Sequence, residues 1–284
     1  MSGTESTTLS TTSSTSAAKL NNVQWVKSQY KTPNNLNARI QLHRRFGTNP
    51  YPWLQWVFDH LQLAPGMQLL EIGCGPGGLW DENRQRLSPQ TTLTLTDFSP
   101  GMITQSIAKL GDLAQVRFGV ANAMALPFVT ASFDVVVANH MLYHVPDRDM
   151  ALTEIRRVLR PTGRFFAATN DHTHMHEVRE LADAYMPGTA MVISNNERFP
   201  FDVATRELSQ HFGQVQLHRY ANTLVVNDAD ALADYMLSGI SFSLPEEAVA
   251  PFRHWLQERI QSQGAITITI GTGLFETATA PLVP

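Results

Sequence analysis

The sequence predicts an α/β fold: a Rossmann-like, doubly wound, mostly parallel seven-stranded sheet with an N-terminal helical lid and a helical insertion before the last strand. Two observations lead to this prediction. Short, almost continuously apolar runs alternate with amphipathic stretches through the middle of the 284 residues, a pattern typical of parallel strands covered by helices on both faces. A glycine-rich turn follows the first apolar run and leads into a helical pattern.

The period of the hydrophobic residues places each element along the chain. Helices are expected over residues 34–45 and 53–63, before the first strand. The predicted strands are the apolar runs at 67–72, 92–96, 115–120, 133–139, 163–169, 214–220 and 265–270. Further helices are expected over 79–87, 100–110, 147–159, 172–186, 228–237 and 245–262.

Composition narrows the class of protein. Hydrophobic residues make up 43% of the chain, which provides a packed core and excludes wholesale disorder. The net charge of −4 argues against a basic nucleic-acid surface. No apolar run approaches the roughly 20 residues that span a bilayer, and the single cysteine, Cys74, fits a reducing, cytoplasmic location. We therefore expect no nucleic-acid or membrane partner, and a monomer or a homodimer.

Three regions are expected along the chain. Residues 1–18 are rich in Ser and Thr and are predicted to be a disordered tail. Residues 19–64 would form the helical lid, and residues 65–284 the sheet domain, with its helical insertion near 222–263. The chain has no acidic residue between Glu5 and Asp59, a stretch that includes most of the lid. This stretch is either a solvated basic face or a surface that meets an anionic ligand group.

The strongest motif is the turn within residues 69–78, Leu-Leu-Glu-Ile-Gly-Cys-Gly-Pro-Gly-Gly. Its glycines satisfy the pattern G-x-G-x-x-G, which alone is a weak signal. Pro76 removes a backbone N–H from a loop that would have to hold a pyrophosphate, and Glu71 places a carboxylate just before the turn. Both features favour a cofactor that has no phosphate and carries cationic groups. S-adenosylmethionine, with its sulfonium and ammonium, is such a molecule.

Asp97 ends the second predicted strand, where its carboxylate can accept hydrogen bonds from both hydroxyls of a ribose. The ring of Phe98 can lie against an adenine, and Met102 can cover the other edge. Ordinary core packing is the alternative interpretation for these two apolar residues, and a helix cap is the alternative for Asp97.

Five segments occur in a recognisable order: 71–77, 97–102, 121–128, 133–140 and 159–163. Together they resemble the class I S-adenosylmethionine-dependent methyltransferases of the methyltransferase type 11 kind. The resemblance covers roughly residues 65–170.

The resemblance implies a role for individual residues. The glycine turn would meet the methionine part of the cofactor, Asp97 would hold the ribose, and Asn139 would lie under the methionine and sulfonium through its backbone. The residues of the turn assigned to the cofactor are Glu71, Gly73, Cys74 and Gly75.

Phe98 and Ala123 would border the adenine. Asn122 departs from the family pattern, which usually has Asp at this position. Its amide oxygen can still accept a hydrogen bond from the adenine amino group.

Histidines follow the fourth and fifth predicted strands. His140 and His144 are candidates for a general base or for a group that orients the substrate, although packed histidines are equally compatible with the pattern. His172, His174 and His176 alternate along the chain, as metal ligands on an extended segment would. Since no cysteine or carboxylate is tied to them by spacing, we expect no metal.

The lid contributes two further candidates. Arg39 could hold the methionine carboxylate in a bidentate pair, and the ring of Tyr30 could lie near the sulfonium.

The sequence therefore predicts an S-adenosylmethionine-dependent methyltransferase that acts at O, N or C of a small, apolar or aromatic molecule, in bacterial secondary metabolism. Aromatic residues of the C-terminal half, such as Tyr235 and Trp255, could line the acceptor pocket. The alternatives are an NAD-dependent oxidoreductase on the same sheet type and a non-catalytic module that binds the cofactor.

Overall fold

The computed structural model describes residues 34–187, 198–238 and 244–278. The predicted tail and Tyr30 lie outside these ranges. The helices are α1 (Asn34–Phe46), α2 (Trp53–Leu61), α3 (Gly78–Glu82), α4 (Pro100–Leu110), α5 (Arg148–Val158), α6 (His176–Tyr185), α7 (Phe201–His211), α8 (Ala229–Ser238) and α9 (Glu246–Gln263). The strands are β1 (Gln68–Ile72), β2 (Thr92–Asp97), β3 (Val116–Val120), β4 (Phe133–Asn139), β5 (Leu159–Asn170), β6 (Gln214–Val226) and β7 (Ile266–Ala278).

The strands form one seven-stranded sheet in the order β3-β2-β1-β4-β5-β7-β6. The pairs among β1 to β5 are parallel, and β7 runs antiparallel to both β5 and β6. The predicted α/β fold with a mostly parallel sheet is therefore confirmed. The chain runs outward from β1 to β3 and returns to β4, so the strand order reverses between β1 and β4. In such sheets the ligand binds beyond the carboxyl ends of the strands at this reversal.

The centre of the sheet is buried on both faces. In β4 all of Val135, Val136, Val137 and Ala138 are inaccessible to solvent. Val135 and Val137 belong to the core cluster on one face, and Val136 and Ala138 to the cluster on the other. Burial on both faces explains why β4 is apolar at successive positions rather than at alternate ones.

Some elements differ from the predictions. β6 and β7 are about twice as long as expected because they pair with each other in one continuous register from Gln214–Ala278 to Val226–Ile266. The predicted helix over 79–87 is interrupted: α3 ends at Glu82, and the side chain of Asn83 donates to the carbonyl of Leu79 at 2.8 Å. A 3₁₀ turn follows. The helix α7 lies in a segment whose pattern was too irregular to predict.

The N-terminal helices are attached to the far end of β6 and to the insertion. The backbone N–H of Thr48 donates to the carbonyl of Thr223 at 2.9 Å, and Leu42 is buried in a cluster formed with α6, α8, α9 and β7. The helices α8 and α9 fill the connection between β6 and β7, as the predicted insertion requires. Within the part of the chain that the structure describes, no helix has the length and apolar character needed to cross a membrane.

Candidate active site

The glycine turn after β1 depends on left-handed backbone conformations. Gly73 has φ +68° and Gly75 has φ +53°, values that glycine adopts without strain. A Cβ on Gly73 would lie 2.7 Å from that of Met141, so the close approach of the loop after β4 also requires glycine. A Cβ on Gly75 would meet no atom within 4 Å, so the turn is open on that side.

Asp97 ties the end of β2 to this turn. Its Oδ2 accepts from the backbone N–H of Gly75 at 3.0 Å, and its Oδ1 accepts from that of Ser99 at 2.8 Å. Burial raises the pKa of Asp97, and the backbone hydrogen bonds oppose that shift. Each carboxylate oxygen keeps lone pairs for a further donor, so a fixed, partly buried acceptor stands beside the open turn.

Glu71 is the most deeply buried acid of the site, only 2% exposed. The indole Nε1–H of Trp80 donates to its Oε2 at 2.5 Å. Burial raises the pKa of Glu71 to about 8, against the effect of the Trp80 hydrogen bond, and the charge of Asp97 adds to the increase. A cation placed beside the turn would favour the ionised carboxylate.

The remaining turn residue, Cys74, is buried at 7% exposure, and its backbone N–H donates to the carbonyl of Thr96 at 2.9 Å. Burial raises the pKa of its thiol well above the ordinary value. The thiol therefore stays protonated, which makes Cys74 part of the wall and not a nucleophile.

The residues expected around the adenine lie along the turns after β2 and β3. Met102 on α4 and Ala123 are buried at 2% and 6% exposure, and Phe98 is partly accessible. The Oδ1 of Asn122 accepts from the backbone N–H of Met124 at 3.0 Å. This bond fixes the Asn122 amide and leaves its oxygen one lone pair for another donor.

Two notable residues stand at the end of β4. The Oδ1 of Asn139 is buried and has no hydrogen-bond partner among the residues that the structure describes. His140 has φ +55°, a left-handed conformation that is costly for a residue with a side chain and is concentrated at functional sites. His144 follows on a 3₁₀ turn.

The structure brings His140 together with histidines from distant elements. The rings of His43 on α1 and His174 after β5 are parallel with centroids 6.1 Å apart, and Tyr235 on α8 lies 6.3 Å from His43. Burial lowers the pKa of both His140 and His174, and the charge of His43 adds to that effect on each. We call His43, His140, His174 and Tyr235 the histidine cluster.

Burial makes the imidazoles of the histidine cluster and of His144 neutral. It lowers the pKa of His43 and His140 to about 4 and that of His144 to about 3. These three side chains nevertheless keep intermediate solvent accessibility. His140 and His144 follow β4, at the carboxyl ends of the strands, which is where a ligand cleft is expected in such a sheet. At neutral pH this cleft presents uncharged nitrogen atoms that can accept a proton or a hydrogen bond.

Sequence reasoning singled out His140 and His144 but missed His43. His43 lies about a hundred residues before His140, on a helix whose position over the sheet no local pattern discloses. The one signal in the sequence was that His43 lies within residues 19–64, the segment predicted to form the lid.

Arg39 is engaged elsewhere than at the glycine turn. Its Nη2 donates to the carbonyl of Ser238 at 2.6 Å and its Nε to the hydroxyl of the same residue at 3.3 Å, which fastens α1 to the end of α8. Burial lowers the pKa of His144, and the charges of Arg198 and Arg39 add to that effect.

The three alternating histidines after β5 have separate partners. His172 Nε2 lies 3.2 Å from Asp202 Oδ1, His176 Nδ1 lies 3.0 Å from the carbonyl of Thr173, and His174 is buried in the cluster. Within 34–187, 198–238 and 244–278, no three ligand-type side chains are grouped closely enough to hold a metal ion.

The fold and the site define a class: an α/β domain with a glycine turn after β1 and an oriented carboxylate at the end of β2. Residues 70–167 match the family of the methyltransferase domain. This part of the chain is therefore similar to a methyltransferase domain.

Curated relatives agree with this assignment over part of their length. The chain is 34% identical to the demethylmenaquinone methyltransferase of Lactococcus lactis over 135 residues, which are 47% of this chain and 54% of that protein. It is 28% identical to the ubiquinone/menaquinone biosynthesis C-methyltransferase UbiE of Vibrio parahaemolyticus over 151 residues, 51% of this chain and 58% of that protein. The chain thus spans about half the length of the curated relatives it matches.

A solved structure shares the fold. Phosphoethanolamine N-methyltransferase 2 of Haemonchus contortus, determined in complex with S-adenosylmethionine, superimposes with a TM-score of 0.56 at 14% identity. The match covers 93% of this chain and 59% of that chain.

Proposed function

We propose that this protein transfers a methyl group from S-adenosylmethionine to a small, largely apolar or aromatic acceptor. One observation carries the proposal: the open glycine turn with its oriented Asp97 carboxylate lies at the same edge of the sheet as an accessible cleft of neutral histidines. A cofactor site beside a cleft that can bind an acceptor and take up a proton is the minimum that such a transfer requires.

The described residues fit the proposed cofactor. The space beside Gly75 can take its methionine part, and the Asp97 carboxylate can accept from the ribose hydroxyls. The buried Glu71 carboxyl suits a positively charged neighbour because a cation would offset the cost of ionising it. The other residues proposed for this site are Gly73, Cys74, Phe98, Met102, Asn122, Ala123 and Asn139.

When bound, S-adenosylmethionine supplies a methyl group on a cationic sulfur that becomes a neutral thioether after transfer. The protein's part is to hold the acceptor in line, to exclude water and to take the acceptor's proton where there is one. We propose His140 or His144 for that proton, because burial keeps both imidazoles in the neutral form that can accept one. The sulfur loses its positive charge when the methyl group leaves, and the imidazole gains one with the proton. The total charge of the buried site is therefore unchanged.

The acceptor is proposed to be an aromatic hydroxyl compound of the quinol or phenol type. The names of the two relatives refer to quinone biosynthesis, and the cleft offers aromatic and imidazole rings from Trp53, His140, His174 and Tyr235. Ring walls favour a planar, apolar acceptor, and the neutral nitrogen atoms match a hydroxyl donor. We further propose that the protein acts in bacterial secondary metabolism.

Calorimetry on the full chain tests the cofactor, and a transfer assay tests the reaction. We expect S-adenosylhomocysteine to bind with a micromolar Kd and NADH not to bind. With methyl-labelled S-adenosylmethionine, we expect label to enter simple quinols or phenols. NADH binding without S-adenosylhomocysteine binding would favour an oxidoreductase. Binding without transfer to any acceptor in panels of phenols, quinols and amines would favour a non-catalytic module.

A further inference from the structure

Two buried polar atoms near the end of β4 have no hydrogen-bond partner in the described ranges of the chain. One is the acceptor Oδ1 of Asn139, and the other is the donor Nε1 of Trp53. A buried donor or acceptor left unsatisfied is costly, and such groups in folded proteins call for a specific explanation. A ligand that brings both an acceptor and a donor would satisfy the two atoms together.

Trp53 is placed between the two parts of the site. It is the first residue of α2, and its ring centroid lies 5.4 Å from that of His140, the neighbour of Asn139 in the chain. The following residue, Leu54, lies within 3.6 Å of the position that a Cβ on Gly78 would occupy. The first turn of α2 therefore reaches from the end of β4 to the end of the glycine turn.

The indole of Trp53 is held in one orientation by neighbouring rings. Trp56 stacks on it at 5.3 Å, and Tyr220 meets it edge-on at 5.2 Å. The hydroxyl of Tyr220 donates to the carbonyl of Tyr51 at 2.6 Å, which fixes that ring in turn. A donor fixed in this way loses little conformational entropy when it binds a partner.

We propose that Trp53 and Asn139 hold the amino acid end of the cofactor. The Nε1–H of Trp53 donates to the carboxylate, and the Oδ1 of Asn139 accepts from the ammonium. An amino acid carries both groups on one carbon, so a single ligand end satisfies both atoms. The inference rests on the proposed cofactor, and it assigns the carboxylate to Trp53 instead of Arg39, whose guanidinium is bonded to Ser238.

Three ligands distinguish the contact of Trp53 with the carboxylate from the contact of Asn139 with the ammonium. S-adenosylhomocysteine has both groups, its decarboxylated analogue keeps only the ammonium, and 5′-methylthioadenosine lacks both. For W53F we expect calorimetry to show S-adenosylhomocysteine binding about 10- to 100-fold weaker, as loss of one hydrogen bond to a charged group predicts, with both analogues unchanged within about twofold. N139L should weaken S-adenosylhomocysteine and the decarboxylated analogue but not 5′-methylthioadenosine. M150L, at an exposed position on α5, is the control and should leave all three Kd values unchanged.

Other results would overturn the assignment. A W53F variant that binds S-adenosylhomocysteine normally, or that weakens all three ligands equally, would show that Nε1 does not meet the carboxylate. The same conclusion follows if the carboxylate-dependent loss appears in R39Q instead. Failure of the unaltered chain to bind any of the three ligands would refute the proposed cofactor itself.

A second measurement uses the unaltered chain, so it does not depend on whether a variant folds. In the ¹⁵N-labelled unaltered chain, which has five tryptophans, one indole N–H resonance should move downfield with S-adenosylhomocysteine and not with the decarboxylated analogue. If no indole resonance distinguishes the two ligands, the assignment is wrong.

Discussion

The two halves of the site respond to burial in opposite directions. At the ends of β1 and β2, burial raises the pKa of the carboxyls of Glu71 and Asp97. At the end of β4, burial lowers the pKa of the imidazoles of His140 and His144. The physical cause is the same, because a low-dielectric environment disfavours the charged form of either group. The carboxyl half is therefore suited to a cationic ligand, and the imidazole half to a neutral molecule.

The two halves also differ in how they are assembled. The carboxyl half is built from residues close in sequence, joined by the parallel pairing of β1 with β2. The histidine cluster is built from α1, the loops after β4 and β5, and α8. Substitutions in the first half should therefore act on cofactor affinity, and substitutions in the second should act on turnover. Four experiments test this division.

The largest effect is expected from the histidine that takes the proton. H140N and H144N each remove an imidazole, and the one that removes the base should lower kcat about 100- to 10,000-fold with a hydroxyl acceptor. The Kd of S-adenosylhomocysteine should stay within about threefold, in keeping with the separation of the two halves. Initial rates and calorimetry on the same preparations measure both quantities, and H254N, at an exposed position on α9, serves as the control.

The pH profile sharpens the same prediction. The lowered pKa values of about 4 and about 3 mean that the basic forms of His140 and His144 persist down to pH 5. The value of kcat/KM for the acceptor, measured at saturating S-adenosylmethionine, should therefore stay level from pH 8 to pH 5, whereas a base with an ordinary histidine pKa of about 6.5 would lose most of its activity. Two single variants that both keep kcat within threefold would remove histidine as the base.

The next effect is expected at Asp97. D97A removes the acceptor for two ribose hydroxyls and the partner of the Gly75 N–H, so S-adenosylhomocysteine should bind on the order of 100-fold more weakly. Turnover at saturating cofactor should fall much less. Calorimetry and saturation kinetics compare D97A with D112A, which removes an exposed carboxylate paired with Arg84. Near-normal affinity in D97A would show that the ribose is held elsewhere.

The difference between the carboxyl half, which is local in sequence, and the histidine cluster, which is assembled from distant elements, explains what the sequence could predict. Glycine spacing, Glu71 and Asp97 are local signals, and the apolar pattern placed β1 to β4 within one residue of their observed bounds. The contribution of His43 and the bonding of Arg39 to Ser238 depend on how α1 docks onto α8, and that docking has no signature in local periodicity. The extension of β6 and β7 was missed because each strand is stabilised by its pairing with the other, not by its own pattern.

The smallest functional effect is expected at Glu71, where affinity and stability should change in opposite directions. In E71Q the amide oxygen can still accept from Trp80, but the charge that would face a cationic cofactor is lost, so S-adenosylmethionine should bind about 10-fold more weakly.

The stability of E71Q should depend on pH. Because the pKa of Glu71 in the folded protein, about 8, lies above the ordinary value of 4.5, the native carboxyl holds its proton more tightly than the unfolded one does. Stability is therefore lost as the pH rises from about 4.5 to 8, and the free energy of unfolding should increase in E71Q by a few kcal/mol at pH 8 and little at pH 5. Urea denaturation at the two pH values measures this difference, with E180Q at an exposed position on α6 as the control. An equal gain at both pH values would mean that burial does not hold the Glu71 carboxyl protonated, and the contrast between the two halves of the site would then rest on Asp97 alone.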